Sequence, residues 1–251
     1  MKTKNKYFFP IDLSKITATL KDPLSHVDNL VWAVDFDAPE GLPILAAADG
    51  VVVEVKDNSN RGGLDKSFEN DGNYIEILHD HNEISEYEHL KFSSALVKVG
   101  DRVRTGEVIA RVGDTGWSKC SHLHFMVYQK DTDYKTLEIP WQNKILVVCN
   151  YGKNRSKFLA EYLSRKGYET DFGGLQENLL QAKINWAEVV ISVHEEIKKE
   201  LLVNFDLTGK CLIELNTDDR PAEKLDGAEW TDFQNNLVYP KLIEQVDKYL
   251  P

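Results

Sequence analysis

The amino-acid sequence predicts two domains. Residues 1–143 read as a mainly antiparallel β domain, and residues 144–251 as an α/β domain with a small parallel sheet. Three observations predict this. Short β-prone runs separated by Gly and Asp turns fill the first part. Strand-like and helix-like segments alternate after Pro140, the pattern of βαβ units. Six of the seven histidines precede residue 125, so the two parts carry different chemistry.

In the first part the β-prone runs fall at 30–36, 44–48, 50–56, 73–79, 102–104, 107–112 and 122–128. Pro-Glu-Gly at 39–41, Arg-Gly-Gly at 61–63 and Asp-Gly at 49–50 and 71–72 punctuate them, as turn chemistry requires. In the second part, Lys144–Cys149 (KILVVC) is a nearly unbroken apolar run, as expected of a parallel strand buried on both faces. Phe158, Leu159, Tyr162 and Leu163 recur at helical spacing, which predicts a helix over 154–166. Strands are expected at 168–171, 188–193 and 210–215, and helices at 176–184, 194–203 and 237–250.

Apolar residues make up 42% of the chain and charged residues 28%, a globular composition. The net charge of −11 argues against nucleic acid as a partner, since phosphate binding needs clustered cations. The three cysteines, Cys120, Cys149 and Cys211, form no disulfide framework. Cys211 lies in an apolar run and reads as core; Cys120 reads as incidental. The opening MKTKNKYFFPIDLSKITATL lacks the apolar run of a signal peptide, and no stretch is long and apolar enough to span a bilayer. A cytoplasmic protein with reduced thiols is the expectation.

The segment SHLHF at 121–125 alternates, so on a strand His122 and His124 share one face while Leu123 and Phe125 take the other. Two imidazoles side by side suit a metal site. An isolated HxH fits a plain surface strand equally well. The context is VWAVDFDAPEGLPILAAADGVVVEV with His26 ahead of it, His89 in YEHL, and HLHF after GDTGWSKC. Over roughly residues 20–140 this set resembles the M23 (LytM/lysostaphin-like) zinc metallopeptidases. The resemblance implies that His26, Asp35 and His124 hold Zn2+ with one position left for water, the mark of a catalytic site. It implies that His89 and His122 are the catalytic pair, one taking a proton from water and the other stabilising the oxyanion. It also implies a peptide substrate, with Gly-containing or cell-wall cross-link peptides usual, although those lie outside the cytoplasm. Eight residues separate His26 from Asp35, against three in the common family spacing, so Asp37 stands as the alternative carboxylate. His79 and His81 form a second HxH, read as a strand end and turn facing solvent.

The second constellation is KILVVCNYGKNRSKFLAEYL. Cys149 ends the apolar strand, and Arg155 and Ser156 open the following helix. Backbone N–H groups of such a loop, with a helix N-terminus, cradle an anion. Arg155 offers a planar fork for phosphate oxygens. The same field favours a Cys149 thiolate nucleophile, and the Ser156 hydroxyl is placed to donate to it. The bland alternative is a structural cysteine before a basic helix start. The motif C-x-x-G-x-x-R-S resembles the cysteine-dependent tyrosine phosphatases, and R-S-x-x-x-A-E-x-L after the first strand looks like their low-molecular-weight branch. That resemblance implies a general-acid aspartate in LNTDDRP, hence Asp218 or Asp219. Asn154 stands where that branch usually has a second cysteine, and D-P-Y is absent. The expected function is therefore a zinc peptide hydrolase fused to a phosphatase-like domain acting on phosphotyrosine or small phosphomonoesters. In the alternative only one domain is catalytic. The Cys149 loop would then bind a phosphopeptide or phosphorylated small molecule, or the first domain would bind zinc and peptide without turnover.

Overall fold

The computed structural model describes residues 1–20, 26–130, 132 and 134–251. The chain forms two compact units, Met1–Trp141 (with Pro251) and Gln142–Leu250.

The strands of the first unit are β1 (Ala18–Leu20), β2 (Val34–Asp37), β3 (Pro43–Leu45), β4 (Gly50–Lys56), β5 (Gly62–Gly63), β6 (Tyr74–Leu78), β7 (Glu83–Glu88), β8 (Arg102–Val103), β9 (Val108–Arg111), β10 (Gly116–Trp117) and β11 (His122–Gln129). Seven of them build one sheet in the order β1-β2-β11-β7-β6-β4-β8, with every pairing antiparallel. Strand alternation decides which face is which. Leu123, Phe125 and Val127 of β11 are fully buried, and Tyr87 of β7 and Ile75 and Ile77 of β6 are buried with them. His122 and His124 consequently project from the opposite face, opposite Asp37 and Asp35 of β2 and, for His124, Glu88 of β7.

The sequence pattern misses β7, because Glu83, Ser85, Glu86 and Glu88 disguise a strand that is buried nearly throughout. Glu83 is 1% exposed and is kept there by donors: the Lys4 and Asn5 backbone N–H groups at 2.6 and 3.2 Å, the Asn5 side-chain amide at 2.8 Å and the Tyr7 hydroxyl at 3.2 Å. The run expected at 30–36 is a strand only from Val34, with a 3-10 turn at Asp28–Leu30 before it.

His79 corrects the sequence reading. It is buried rather than solvent-facing, with Nδ1 2.7 Å from the Asp49 carbonyl, Nε2 2.7 Å from the Ser85 hydroxyl and its ring edge-on to Tyr7. The three-residue 3-10 turn after it, Asp80–Asn82, carries His81 into solvent at positive φ.

The second unit holds β12 (Lys144–Cys149), α1 (Arg155–Arg165), β13 (Glu169–Gly174), α2 (Leu180–Trp186), β14 (Val189–Ser192), α3 (Glu195–Asn204), β15 (Cys211–Glu214), α4 (Gly227–Phe233), a π-helix at Gln234–Val238, and α5 (Tyr239–Val246). Its sheet is wholly parallel, in the order β13-β12-β14-β15. β12 and β14 are central, and Ile145, Leu146, Val147, Val148, Val190 and Ile191 are fully buried. The chain leaves β12 for β13 on one side and later returns to β14 on the other. The loop after β12 thus opens at the point where strand order reverses, where crevices form in such sheets. β15 is an edge strand, so Cys211 is only half-buried rather than a core residue. Two features depart from the expected terminal helix: α4 precedes it, and a π-turn joins α4 to α5. Among the described residues no helix is long and apolar enough to cross a membrane.

Candidate active sites

β2 and β11 are paired in register with His124 opposite Asp35, and the segment before β2 returns His26 to the same place. His26, Asp35 and His124 offer three ligand atoms that all lie within 4.8 Å of one another. Asp35 Oδ1 lies 2.8 Å from His124 Nδ1, 3.3 Å from His26 Nε2 and 3.8 Å from His122 Nε2. All three members are at most 9% exposed. The His26–Asp35 approach lacks hydrogen-bond geometry, and both ring nitrogens of His26 are buried without a hydrogen-bond partner. Burying such nitrogens unpaired is costly. Two imidazoles and a carboxylate around a point that leaves a ring nitrogen unused fit a tetrahedral zinc ion with one open position. Burial alone would raise the Asp35 carboxyl, but the hydrogen bond from His124 and the close approach of the His26 imidazole hold it well below the usual carboxylate range. His124 is pushed up to about 9, its contact with Asp35 overcoming burial. The long His26–Asp35 spacing does not prevent convergence, and Asp37, two residues further along β2, is outside the group of three.

His89 and His122 stand next to this cluster with ring centroids 4.5 Å apart. Their Nδ1 atoms are occupied by one loop. His89 Nδ1 lies 2.7 Å from the Thr115 carbonyl, and His122 Nδ1 lies 2.9 Å from the Cys120 carbonyl. A carbonyl only accepts, so each Nδ1 carries the proton and each Nε2 is the free edge. Gly116, at φ +86°, lets that loop approach: a Cβ there would stand 2.7 Å from the Gly72 Cα and 3.4 Å from His89 Nδ1. Cys120 is exposed, and its carbonyl rather than its thiol serves the site. Sequence reasoning missed both carbonyls, since a backbone oxygen leaves no residue signature.

In the second unit the Cys149 thiol sits 3.0 Å from the Ser156 hydroxyl and accepts from the Gly152 N–H at 3.2 Å. Burial raises this thiol, but Ser156 and the backbone N–H groups of Gly152 and Lys153 outweigh it and hold the pKa below the ordinary thiol value. The loop is tight because two glycines touch: a Cβ on Gly152 (φ +65) would meet the Gly174 nitrogen at 2.8 Å, and one on Gly174 would meet the Gly152 nitrogen at 2.6 Å. A cavity of about 510 Å³ opens here, lined by Cys149, Lys153, Arg155, Asp219, Arg220 and Trp230. Arg155 donates to the Thr217 carbonyl at 2.5 Å, and its Nε lies 3.0 Å from Asp219 Oδ2 as a charge pair without hydrogen-bond geometry. The two aspartates part company. Asp219 lines the cavity, whereas Asp218 is taken by Arg220, which donates to it from Nε and NH2 and holds its carboxyl down at about 2.

Residues 30–136 match Peptidase family M23. An uncharacterized metalloprotease of Buchnera aphidicola subsp. Baizongia pistaciae is 35% identical over 115 residues, which is 46% of this chain and 27% of that protein. The peptidoglycan DD-endopeptidase ShyC of Vibrio cholerae is 32% identical over 162 residues, 62% of this chain and 34% of the relative. The glycyl-glycine endopeptidase ALE-1 of Staphylococcus capitis is 33% identical over 142 residues, 56% and 34%. The chain thus spans about a quarter to a third of the length of these relatives. Among solved structures, a zinc containing peptidase from Vibrio cholerae superposes with a TM-score of 0.38 at 28% identity, covering 53% of this chain and 39% of the other.

These matches support an M23 peptidase domain at residues 30–136. Zinc is the cofactor of that family of metallopeptidases, in agreement with the donor set of His26, Asp35 and His124. The family match ends within the first unit, and no phosphatase fold is shown for the second, whose sheet and helices are described by their own geometry.

Proposed function

We propose that the first unit is a zinc-dependent endopeptidase acting on peptide cross-links of the peptidoglycan type. The observation that carries this reading is the convergence of His26, Asp35 and His124 within 4.8 Å, next to a histidine pair whose Nδ1 atoms are both tied to carbonyls. The relatives named as peptidoglycan and glycyl-glycine endopeptidases support the substrate class. His26, Asp35 and His124 hold the metal. The chemistry that zinc supplies when bound is polarisation of the scissile carbonyl and acidification of a water molecule.

The chain's own contribution is proton handling. With Nδ1–H donated to a carbonyl, each of His89 and His122 presents a basic Nε2. One ring takes the proton of the attacking water. Once charged, an Nε2–H donates to the oxyanion or to the departing amine. The carbonyls of Thr115 and Cys120 keep both rings from rotating, so the pair meets the substrate pre-oriented. The test is hydrolysis of a pentaglycine or cross-linked muropeptide by the full chain. Activity should vanish with a chelator, return with zinc, and be absent from His122→Ala that still binds zinc. Turnover that is indifferent to the chelator would end this reading.

A second activity is favoured by one observation, the cavity that places Cys149, Arg155 and Asp219 together beneath loop N–H groups. On this reading the unit hydrolyses an aryl phosphomonoester. The Cys149 thiolate attacks phosphorus while Arg155 holds the phosphoryl oxygens and Asp219 protonates the departing phenolate; water then displaces the thiolate, which Ser156 stabilises, and inorganic phosphate leaves. Asp219 is assigned the acid role because it lines the cavity, whereas Asp218 does not and is held by Arg220. Release of p-nitrophenol from its phosphate should survive chelation and disappear in Cys149→Ser. If the pure, folded chain is silent in that assay yet binds phosphate, the loop is a phosphate-binding module.

A further inference from the structure

The turn that joins α4 to α5 is a π-helix, with the Tyr239 N–H bonded to the Gln234 carbonyl five residues back. Such turns are rare and recur where a side chain must be aimed. In an ordinary α-helix, residues five apart point about 140° away from each other, given about 3.6 residues per turn. Closing the turn on the fifth residue brings Gln234 and Tyr239 to one side. Both then reach the same amide. Asn154 Nδ2 donates to Gln234 Oε1 at 2.8 Å, and the Tyr239 hydroxyl donates to Asn154 Oδ1. The Tyr239 ring also stacks on Phe158 of α1, with centroids 3.8 Å apart.

Asn154 is the residue between the Gly152 turn and Arg155, at the N-cap of α1. An asparagine there ordinarily caps its own helix. This one makes no cap bond, its backbone stands at φ −116°, ψ −92°, and both ends of its amide are committed to the π-turn. Gln234 is 3% exposed and its Nε2 is buried with no partner, so the placement is not one that local hydrogen bonding favours by itself. Trp230, one turn earlier on the same helix, lines the Cys149 cavity. One helix therefore supplies a wall of the cavity and grips the loop at its floor.

We propose that Gln234 and Tyr239 are positioning residues for the Cys149 loop, acting through Asn154 to hold the backbone N–H groups and Arg155 in an anion-receiving shape. The proposal rests on the reading of that loop as a phosphate site. Without the grip, Asn154 is free to turn back and cap α1, and the loop loses the conformation in which its N–H groups converge on the sulfur.

The test is iodoacetamide alkylation of the Cys149 peptide, followed by mass spectrometry across pH with and without inorganic phosphate, on the full chain. In the wild type, alkylation should proceed below the pH at which an ordinary thiol reacts, and phosphate should protect. In Gln234→Leu and Tyr239→Phe, alkylation below neutral pH should slow about tenfold as the apparent thiol pKa rises about one unit toward the free-cysteine value. The phosphate concentration that gives half-protection should rise about tenfold as well. Tyr239→Phe removes only a hydroxyl and keeps the stack on Phe158, so it serves if the glutamine variant does not fold, as judged by far-UV circular dichroism. A reactive, phosphate-protected Cys149 in the wild type with unchanged profiles in the folded variants would overturn the positioning role alone. An unprotected Cys149 with an ordinary pH profile in the wild type would overturn the phosphate site, and the positioning role with it.

Discussion

At the scale of single residues, the metal cluster and the histidine pair make separable predictions. His124→Ala removes one of three donors, and we expect elemental analysis to show the loss of about one equivalent of zinc. His89→Ala leaves the three donors in place, so zinc content should hold while kcat falls by about 10²–10⁴, the usual worth of an acid–base group. Equal loss of metal in both variants would mean that the two sets of histidines do not divide the work as proposed. Gly116 offers a subtler probe. Its Cβ contact with Gly72 is backbone against backbone, with no flexible tip to yield. Gly116→Ala should shift the loop whose Thr115 carbonyl holds His89, lowering activity with zinc retained.

At the scale of elements, the second unit stands on β12. Val147 is fully buried at the centre of a parallel sheet, and Val147→Ala should cost about 2–3 kcal/mol in a denaturant titration through lost burial and a residual cavity. Gly174→Ala should cost about 1–3 kcal/mol and deform the Cys149 loop, since the added carbon meets the Gly152 nitrogen. Reactivity of Cys149 is the sharper readout there: its depressed pKa makes the thiolate available at lower pH, and the variant should need a higher pH for the same alkylation rate. These elements also mark what the sequence makes legible. KILVVC announces a two-faced buried strand, and the alternation in HLHFMVYQ puts His122 and His124 on one face without any coordinates. β7 escapes notice because its glutamates are buried by partners distant in sequence, as Glu83 is by Lys4, Asn5 and Tyr7. His79 is misread for the same reason, as a strand end gives no hint of the Ser85 hydroxyl that receives it. The π-turn is equally silent, because an i→i+5 bond has no residue code and Gln234 becomes meaningful only once Asn154 lies beside it.

At the scale of the whole molecule, the two proposed chemistries belong to different units of one chain, and substitution can address them one at a time. Cys149→Ser should leave peptide hydrolysis at the wild-type rate, and His124→Ala should leave p-nitrophenyl phosphate hydrolysis intact. Paired assays on both variants check this, and a cross-effect in either direction would show that the activities are linked. The N-terminal segment bears on how such variants are made. The Met1 side chain is exposed, while its carbonyl accepts from the Glu138 N–H at 2.9 Å. A protease cut after Tyr7 would take from the Glu83 carboxylate every donor that now satisfies it. Leaving a polar group without its partners in that way costs about 1–3 kcal/mol. The first seven residues thereby anchor β7 through a single buried side chain.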